Sequence, residues 1–203
     1  SELYSPWVRW SEMVGNFLKA KRLPETLKVW VNTSLGETWK EATEGIDPSG
    51  LLKRKENWGR VAPDGVVVIT AGVDVQDDRL EAEVIGWGVG QESWSLQYHV
   101  LHGDPAQQKV WDALDQVLTQ TIRSQDKRTL NIAAACVDTG GHHTQAVYGY
   151  CKAREHNRVY AIKGASQIGK PLVSKFSRAN KLRVKLFTIG TDTAKQMIYS
   201  RLK

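Results

Sequence analysis

The chain has 203 residues, of which 41% are apolar and 25% are charged, a balance that indicates a globular protein with room for one domain and an appendage. It contains no run of about 18 apolar residues that would span a membrane, and it does not open on a signal peptide. Its two cysteines, Cys136 and Cys151, exclude a disulfide framework, argue against a cysteine-based zinc site, and fit a reducing cytoplasm.

Residues 1–62 are predicted to form a helical and linker segment. Ser5-Pro6 has the pattern of an N-cap followed by proline in the first turn, and a second short helix is predicted near Pro24. The spacing of four apolar residues places them on one face of a helix, namely Trp10, Val14, Phe17 and Leu18. Because five tryptophans lie in this segment, we expect it to pack on the rest of the chain or on an absent domain rather than to form its own core. The turn Ala62-Pro63-Asp64-Gly65 marks the boundary, and the main domain is predicted to cover residues 63–203.

From Val66 onward the pattern indicates β-strands. Residues 66–75 form an almost unbroken β-branched run, which is typical of a central strand covered on both faces. Residues 80–87 alternate apolar with polar side chains, as a half-exposed strand does, and residues 92–101 form a third strand. Turns separate the three runs, so the sequence predicts an antiparallel meander.

The second half of the chain alternates helices and strands. A helix is predicted on the spacing of Val110, Trp111, Leu114, Val117, Leu118 and Ile122. After it come a strand over 130–137, a helix over 142–155, a strand over 158–163, a mobile loop over 164–181 and a strand over 182–189. A last helix begins near residue 191 and is expected to bury Ala194, Met197, Ile198 and Leu202. This order predicts an α/β protein with a mixed sheet flanked by helices, and it matches the opening order of the ribonuclease H-like fold.

Two aspartates end apolar runs. Asp74 follows the first strand's β-branched residues, and Asp138 ends the run Ile132 to Val137 just before Gly140-Gly141. A carboxylate buried in such a strand needs compensation, which either a neighbouring arginine or a divalent cation could supply. If the two strands are neighbours, the paired carboxylates are suited to Mg²⁺ or Mn²⁺, and a two-ion site of this kind hydrolyses phosphodiesters.

Other polar residues near these aspartates have two interpretations. Asp77 and Asp78 fit a turn better than a ligand set, because aspartate favours turns through local hydrogen bonds. His142 opens a helix, where it either faces solvent or points toward a metal or phosphate. Asp192 lies in the first turn of the last helix, where an acid is favoured by the helix dipole, and it is the other candidate for a further metal ligand.

The charge of the chain is unevenly distributed. Residues 71–157 carry 7 Lys and Arg against 12 Asp and Glu, whereas residues 158–203 carry 11 against 1. The alternatives are two solvated faces of opposite sign, or an acidic cation site beside a surface that binds phosphates. The predicted DNA-binding residues are Lys163, Lys170, Lys175, Arg178, Lys181, Arg183, Lys185 and Lys195. No Walker A motif occurs, so this chain is not expected to hydrolyse ATP.

Several blocks resemble the nuclease domain in large terminase subunits of lambda-like tailed phages. The first is Ala71-Gly72-Val73-Asp74-Val75-Gln76-Asp77-Asp78-Arg79-Leu80-Glu81, and the second is Val137-Asp138-Thr139-Gly140-Gly141-His142-His143-Thr144. Two later blocks are Ala161-Ile162-Lys163-Gly164-Ala165 and Gly190-Thr191-Asp192-Thr193-Ala194-Lys195. Upstream, the segment that joins the family's packaging ATPase to its nuclease is similar to Ser5-Pro6-Trp7-Val8 and to Val31-Asn32-Thr33-Ser34-Leu35-Gly36-Glu37-Thr38-Trp39.

The resemblance implies a metal-dependent endonuclease that cuts concatemeric viral DNA during genome packaging in the host cytoplasm. Asp74 and Asp138 correspond to two of the family's catalytic, metal-binding acids, with Mg²⁺ or Mn²⁺ as cofactor. The implied partners are double-stranded DNA, the small terminase subunit, the portal and procapsid, and an ATPase domain outside this chain. The family's third acid belongs to a later block that is not found before Lys203, so the domain is expected to continue beyond it. The alternative is a non-catalytic ribonuclease H-like module that grips DNA or a motor partner.

Overall fold

The computed structural model describes residues 6–22, 24–37, 48–53, 55–59, 61–178 and 180–201. The chain divides into two compact units, residues 1–47 and residues 48–203. Ala62 is fully buried in the core of the second unit. The domain boundary expected after residue 62 stays a prediction.

The first unit is helical where it is described. Helix α1 spans Trp10–Ala20 and α2 spans Pro24–Trp30, after which a π-helical turn runs over Val31–Leu35. The predicted start of α1 is wrong, because its N-cap is Arg9, whose carbonyl accepts the N–H groups of Glu12 and Met13. The predicted N-cap Ser5 lies outside the described residues. Met13 is buried, whereas Trp10 is 69% exposed, so the apolar face of α1 is only partly covered.

A mixed seven-stranded sheet forms the centre of the second unit. Its strands are β1 (Val68–Val75), β2 (Arg79–Trp87), β3 (Ser93–His102), β4 (Thr121–Arg123), β5 (Thr129–Asp138), β6 (Val159–Gly164) and β7 (Leu186–Ile189). They lie in the order β3-β2-β1-β5-β6-β7, and β4 pairs with β5. The β1–β5, β5–β6 and β6–β7 pairs are parallel, whereas β1–β2 and β2–β3 are antiparallel. The predicted ribonuclease H-like mixed sheet is confirmed.

Four α-helices are described in this unit: α3 (Pro48–Lys53), α4 (Gln108–Thr119), α5 (Thr144–Ala153) and α6 (Thr191–Arg201). Both α4 and α5 contact the strands. Leu114 and Val147, one from each helix, are almost fully buried in the same core as Ile69 and Val137 of the sheet. Burying each such side chain contributes roughly 1.5–3 kcal/mol, so this layer fixes the sheet. The prediction that Ile122 belongs to the α4 helix is wrong, because it lies on β4, a strand too short to show a period.

The prediction that β1 is covered on both faces is wrong. Its burial alternates, and Ile69 and Val73 are buried while Gly72 and Asp74 are exposed. Side chains in a strand point alternately to opposite faces, and small or polar residues occupy every second position from Thr70 to Asp74. One sheet face therefore packs against helices, and the other presents polar side chains.

The C-terminal part of the described chain differs from the prediction in two respects. Met197 is 39% exposed and Ile198 is 57% exposed, so α6 does not bury the expected apolar residues; Leu202 lies outside the described residues. The last strand begins at Leu186 rather than at residue 182, after Arg183 adopts a positive φ of 51°. The preceding segment is hydrogen-bonded to β7, since Ser174 N–H donates to the Thr188 carbonyl at 2.9 Å.

Candidate functional site

The sheet brings Asp74 and Asp138 side by side. The parallel register of β1 and β5 pairs Val73 with Val137, so each aspartate is one residue beyond a paired position. Neighbouring strands lie about 4.8 Å apart. Val73 and Val137 are buried against the helices, and alternation therefore turns both carboxylates toward the opposite, open face.

Both aspartates line one cavity of about 410 Å³ on that face. One wall comes from β2 and β3, and the other comes from β6, β7 and the start of α6. The remaining lining residues are Gly72, Val73, Glu81, Glu83, Ile85, Tyr98, Ile162, Gly164, Ile189 and Thr191. None of these described lining residues is a lysine or arginine, so the cavity is acidic.

Local hydrogen bonds orient the two carboxylates. The Gln76 side-chain amide donates to Asp74 Oδ2, and the Gly140 N–H donates to Asp138 Oδ1 at 3.1 Å. A Cβ at Gly140 would lie 3.2 Å from Asp138 Oδ2, a tight contact that would press on this carboxylate. Asp74 is exposed, so the expectation of a carboxylate buried inside an apolar strand is wrong.

Glu81 and Tyr98 are cavity residues that the sequence did not single out. Glu81 is the register partner of Asp74 across β1 and β2. It accepts hydrogen bonds from the Tyr98 hydroxyl and from Arg79 Nε at 2.6 Å. The hydroxyl and then the guanidinium lower the pKa of Glu81, while the same carboxylate raises the pKa of Tyr98. The available signal was the alternation of Glu81 and Glu83 with apolar residues on the strand that follows Asp74.

His142 lies outside the cavity lining and binds Asp77 instead. Its Nδ1 is 3.0 Å from Asp77 Oδ1, and its side chain is 87% exposed. The contact joins the β1–β2 turn to the loop between β5 and α5. The hydrogen bond and then the charge of Asp77 raise the pKa of His142, and the same hydrogen bond and charge lower the pKa of Asp77.

This contact predicts a pH dependence that NMR can measure. Asp77 stabilises protonated His142, so the contact is complete below the ordinary histidine pKa of 6.5 and is lost as the pH rises through the raised pKa. At the acidic end it is present above the ordinary Asp77 pKa of 3.8 and is lost as the pH falls through the lowered pKa. In Asp77→Asn, the midpoint of His142 is expected to return toward 6.5, while Asp78→Asn leaves it raised. A titration of His142 that is unchanged in Asp77→Asn would contradict the contact.

The structure separates the predicted basic residues into two groups. Arg178 and Lys185 both pair with Glu155, at 2.7 Å and 3.3 Å, so these two predicted DNA-binding residues are held in ion pairs within the chain. The exposed members are Lys163, Lys170, Lys175, Lys181, Arg183 and Lys195. Lys163 lies between the cavity residues Ile162 and Gly164, so alternation places it on the other face of the sheet.

The donor set at the cavity suits a hard divalent cation. Asp74 and Asp138 offer carboxylate oxygens, the ligand type that Mg²⁺ and Mn²⁺ prefer. Among the described residues, no group of three histidine, cysteine, aspartate or glutamate side chains is placed to hold one ion. Asp192 follows the cavity residue Thr191 but is not itself among the lining residues. Asp74 and Asp138 therefore lie in the lining of this cavity, whereas Asp192 and His142 lie outside it.

A larger cavity, of about 500 Å³, opens at Asp115 and Arg154. Arg154 Nε donates to Asp115 at 2.6 Å, and its guanidinium lies 4.0 Å from the Tyr150 ring centroid. The charged groups here neutralise one another. This cavity is a weaker candidate for catalysis than the acidic one, despite its size.

Comparison with known proteins identifies the family of the chain. The sequence profile of the family "Terminase large subunit gpA, endonuclease domain" matches residues 1–203. The chain belongs to this terminase endonuclease family. It is 40% identical over 200 residues to the large terminase subunit of Escherichia phage lambda and 36% identical over 201 residues to that of Enterobacteria phage P21.

Each alignment covers 98% of this chain but 31% of the relative, so the chain spans about a third of those terminase subunits. No solved structure matches it. Among its described helices, none is long and apolar enough to cross a membrane. The terminase resemblance noted from the motifs around Asp74 and Asp138 is confirmed.

Proposed function

We propose that this terminase domain is a divalent-metal-dependent endonuclease that cuts concatemeric viral DNA during genome packaging. The observation that supports it most directly is the pair of adjacent carboxylates, Asp74 and Asp138, in an open acidic cavity. The substrate follows from the family, whose members include the lambda and P21 large subunits. The reaction adds water across a phosphodiester and leaves a phosphate monoester and a free hydroxyl.

Asp74 and Asp138 would hold Mg²⁺ or Mn²⁺. When bound, a pair of such ions acts as a Lewis acid on the scissile phosphate and stabilises the leaving oxygen. The chain supplies orientation: the Gln76 amide fixes Asp74 and the Gly140 N–H fixes Asp138. Glu81 is held by Arg79 and Tyr98. Glu83 lines the same wall, and its carboxylate keeps that wall acidic, which opposes approach of DNA to the metal-free cavity.

A plasmid assay tests this function. Supercoiled DNA incubated with the chain and Mn²⁺ is expected to be nicked and linearised, and EDTA is expected to stop the reaction. Binding of DNA without cleavage in Mn²⁺ and in Mg²⁺ would favour the second candidate, a non-catalytic module that grips DNA or a motor partner. That candidate draws support from the exposed lysines of residues 163–195, which suit phosphate contact whether or not DNA is cut.

We further propose that Lys170, Lys175 and Lys181 contact DNA phosphates. Replacing Lys170, Lys175 and Lys181 by alanine is expected to weaken binding to any duplex, because backbone contacts position a protein without reading sequence. The slope of log affinity against log salt should flatten by about 0.9 for each phosphate that the variant no longer neutralises. Fluorescence anisotropy over a series of salt concentrations measures both effects.

The control removes an equal charge elsewhere. Lys53, Lys55 and Lys109 are exposed and lie outside the basic end, so their alanine triple variant should keep the wild-type salt slope. Equal slopes for the two triple variants would mean that the basic end serves solubility or a protein partner.

The remaining partners belong to the whole terminase. We propose that the domain acts in the host cytoplasm, joined to a packaging ATPase and assembled with the small subunit, the portal and the procapsid. This chain supplies the cutting domain of that assembly, and its first unit would connect to the ATPase.

A further inference from the structure

Near the acidic cavity, the apolar side chain of Ile168 is almost fully exposed to solvent. Ile168 is 84% exposed and lies in the turn Ser166-Gln167-Ile168-Gly169 that follows β6. Gly169 has a positive φ of 77°, a conformation that favours glycine and reverses the chain immediately after Ile168. Lys170 follows the turn and is also exposed.

Both ends of this turn are fixed. On one side the Ala165 N–H donates to the Ile189 carbonyl at 2.8 Å. On the other side the Thr193 hydroxyl donates to the Lys170 carbonyl at 2.7 Å, and the Gly190 N–H contacts the carbonyls of Pro171 and Leu172 at 3.2 Å and 3.1 Å. The exposed turn therefore projects from a base whose backbone is held by hydrogen bonds at both ends.

The backbone that anchors this turn is part of the cavity wall. Gly164, Ile189 and Thr191 line the acidic cavity, and each is next to an anchoring residue in the chain. A duplex with one phosphate at Asp74 and Asp138 would therefore present its neighbouring nucleotides to residues 166–170.

We propose that Ile168 inserts into the DNA groove beside the scissile phosphate and that Lys170 contacts the adjoining backbone. Apolar wedges such as isoleucine enter between base steps in proteins that bend DNA. The chain carries no aspartate or glutamate between residues 156 and 191, which favours a nucleic acid over a basic protein as the ligand. This assignment rests on the proposed nuclease function and adds the place where the DNA is deformed.

The test uses the full chain with Asp74→Asn, so that the DNA remains uncut. A duplex carrying 2-aminopurine reports unstacking by an increase in emission, and anisotropy reports binding. Ile168→Ser is expected to lose most of the emission increase and to weaken binding about tenfold. Ile168→Leu keeps an apolar side chain and should retain both the emission increase and the affinity of the chain that has isoleucine at this position.

Val89 provides the matched control. It is 87% exposed and lies in the turn between β2 and β3, and it does not line the cavity. Val89→Ser should therefore keep the wild-type emission and affinity. Equal behaviour of Ile168→Ser and Val89→Ser would overturn the wedge, as would an absence of any emission increase on binding.

The outcomes distinguish the proposed insertion of Ile168 into DNA, called the wedge here, from the proposed nuclease function. If the chain without substitutions nicks plasmid but Ile168→Ser binds and unstacks DNA as well as Val89→Ser does, only the wedge is overturned. If the chain neither binds nor nicks duplex DNA, the proposed function is overturned and the wedge with it.

Discussion

Replacing Asp74 by asparagine is expected to reduce Mn²⁺-dependent nicking by about 100-fold or more. The carboxylate would contribute to metal-assisted stabilisation of the transition state, which is worth several kcal/mol, and about 1.4 kcal/mol corresponds to a tenfold change in rate. Asp74 is exposed and its described partner is the Gln76 amide. The fold should therefore survive, with a change in unfolding free energy of about 0.5 kcal/mol or less. Nicking rates and thermal melts measure the two quantities separately.

Asp192 supplies the control for this experiment. It is an acid near the same edge of the sheet but lies outside the cavity lining, so Asp192→Asn should retain near-wild-type nicking. Asp138→Asn should behave as Asp74→Asn does. If Asp74→Asn nicks as well as the wild type while EDTA still inhibits, the metal would have to be held elsewhere.

Substitution of Gly190 by alanine is expected to destabilise the second unit by about 1–3 kcal/mol, the usual cost of overpacking. A Cβ at this position would lie 2.6 Å from the Pro171 carbonyl oxygen and would also clash with the backbone of Lys170. The neighbouring atoms belong to the backbone, so they cannot move aside as the end of a side chain can. The segment from residue 165 to 172 must shift, and thermal denaturation measures the cost.

Gly149 offers the opposite case. It lies inside α5, and an added Cβ would meet nothing within 4 Å. Because glycine is a poor helix former, Gly149→Ala is expected to stabilise by roughly 0.5–1 kcal/mol. A melting temperature of Gly190→Ala equal to or above that of the wild type would contradict the close approach at Gly190, and a lowered one for Gly149→Ala would contradict the open space at Gly149.

The sequence was sufficient to predict the neighbourhood of the two aspartates. Asp74 and Asp138 each end an apolar run, and parallel strands in a sheet of this topology place such ends at one edge. The order of strands and helices was also readable, because most elements are long enough to show a period. Strand β4, with three residues, is not.

Other features depend on distant contacts that no local pattern encodes. Arg178 and Lys185 looked like free cations, yet both pair with Glu155, which precedes them by more than 20 residues. Glu81 reads as an ordinary polar position on an alternating strand. It becomes part of the cavity only because β2 lies beside β1 in the register that pairs it with Asp74.

The parallel pairing of β1 with β5 also determines the stage of folding at which the two aspartates come together. The antiparallel strands β1, β2 and β3 are joined by short turns, and local contacts of this kind form early in folding. Asp138 reaches Asp74 only after β3, α4 and β4 have been passed and the non-local crossover has closed. We therefore expect a newly made chain to carry one aspartate on an incomplete sheet for the first part of its folding. The capacity to cut DNA would arise only when that sheet is complete.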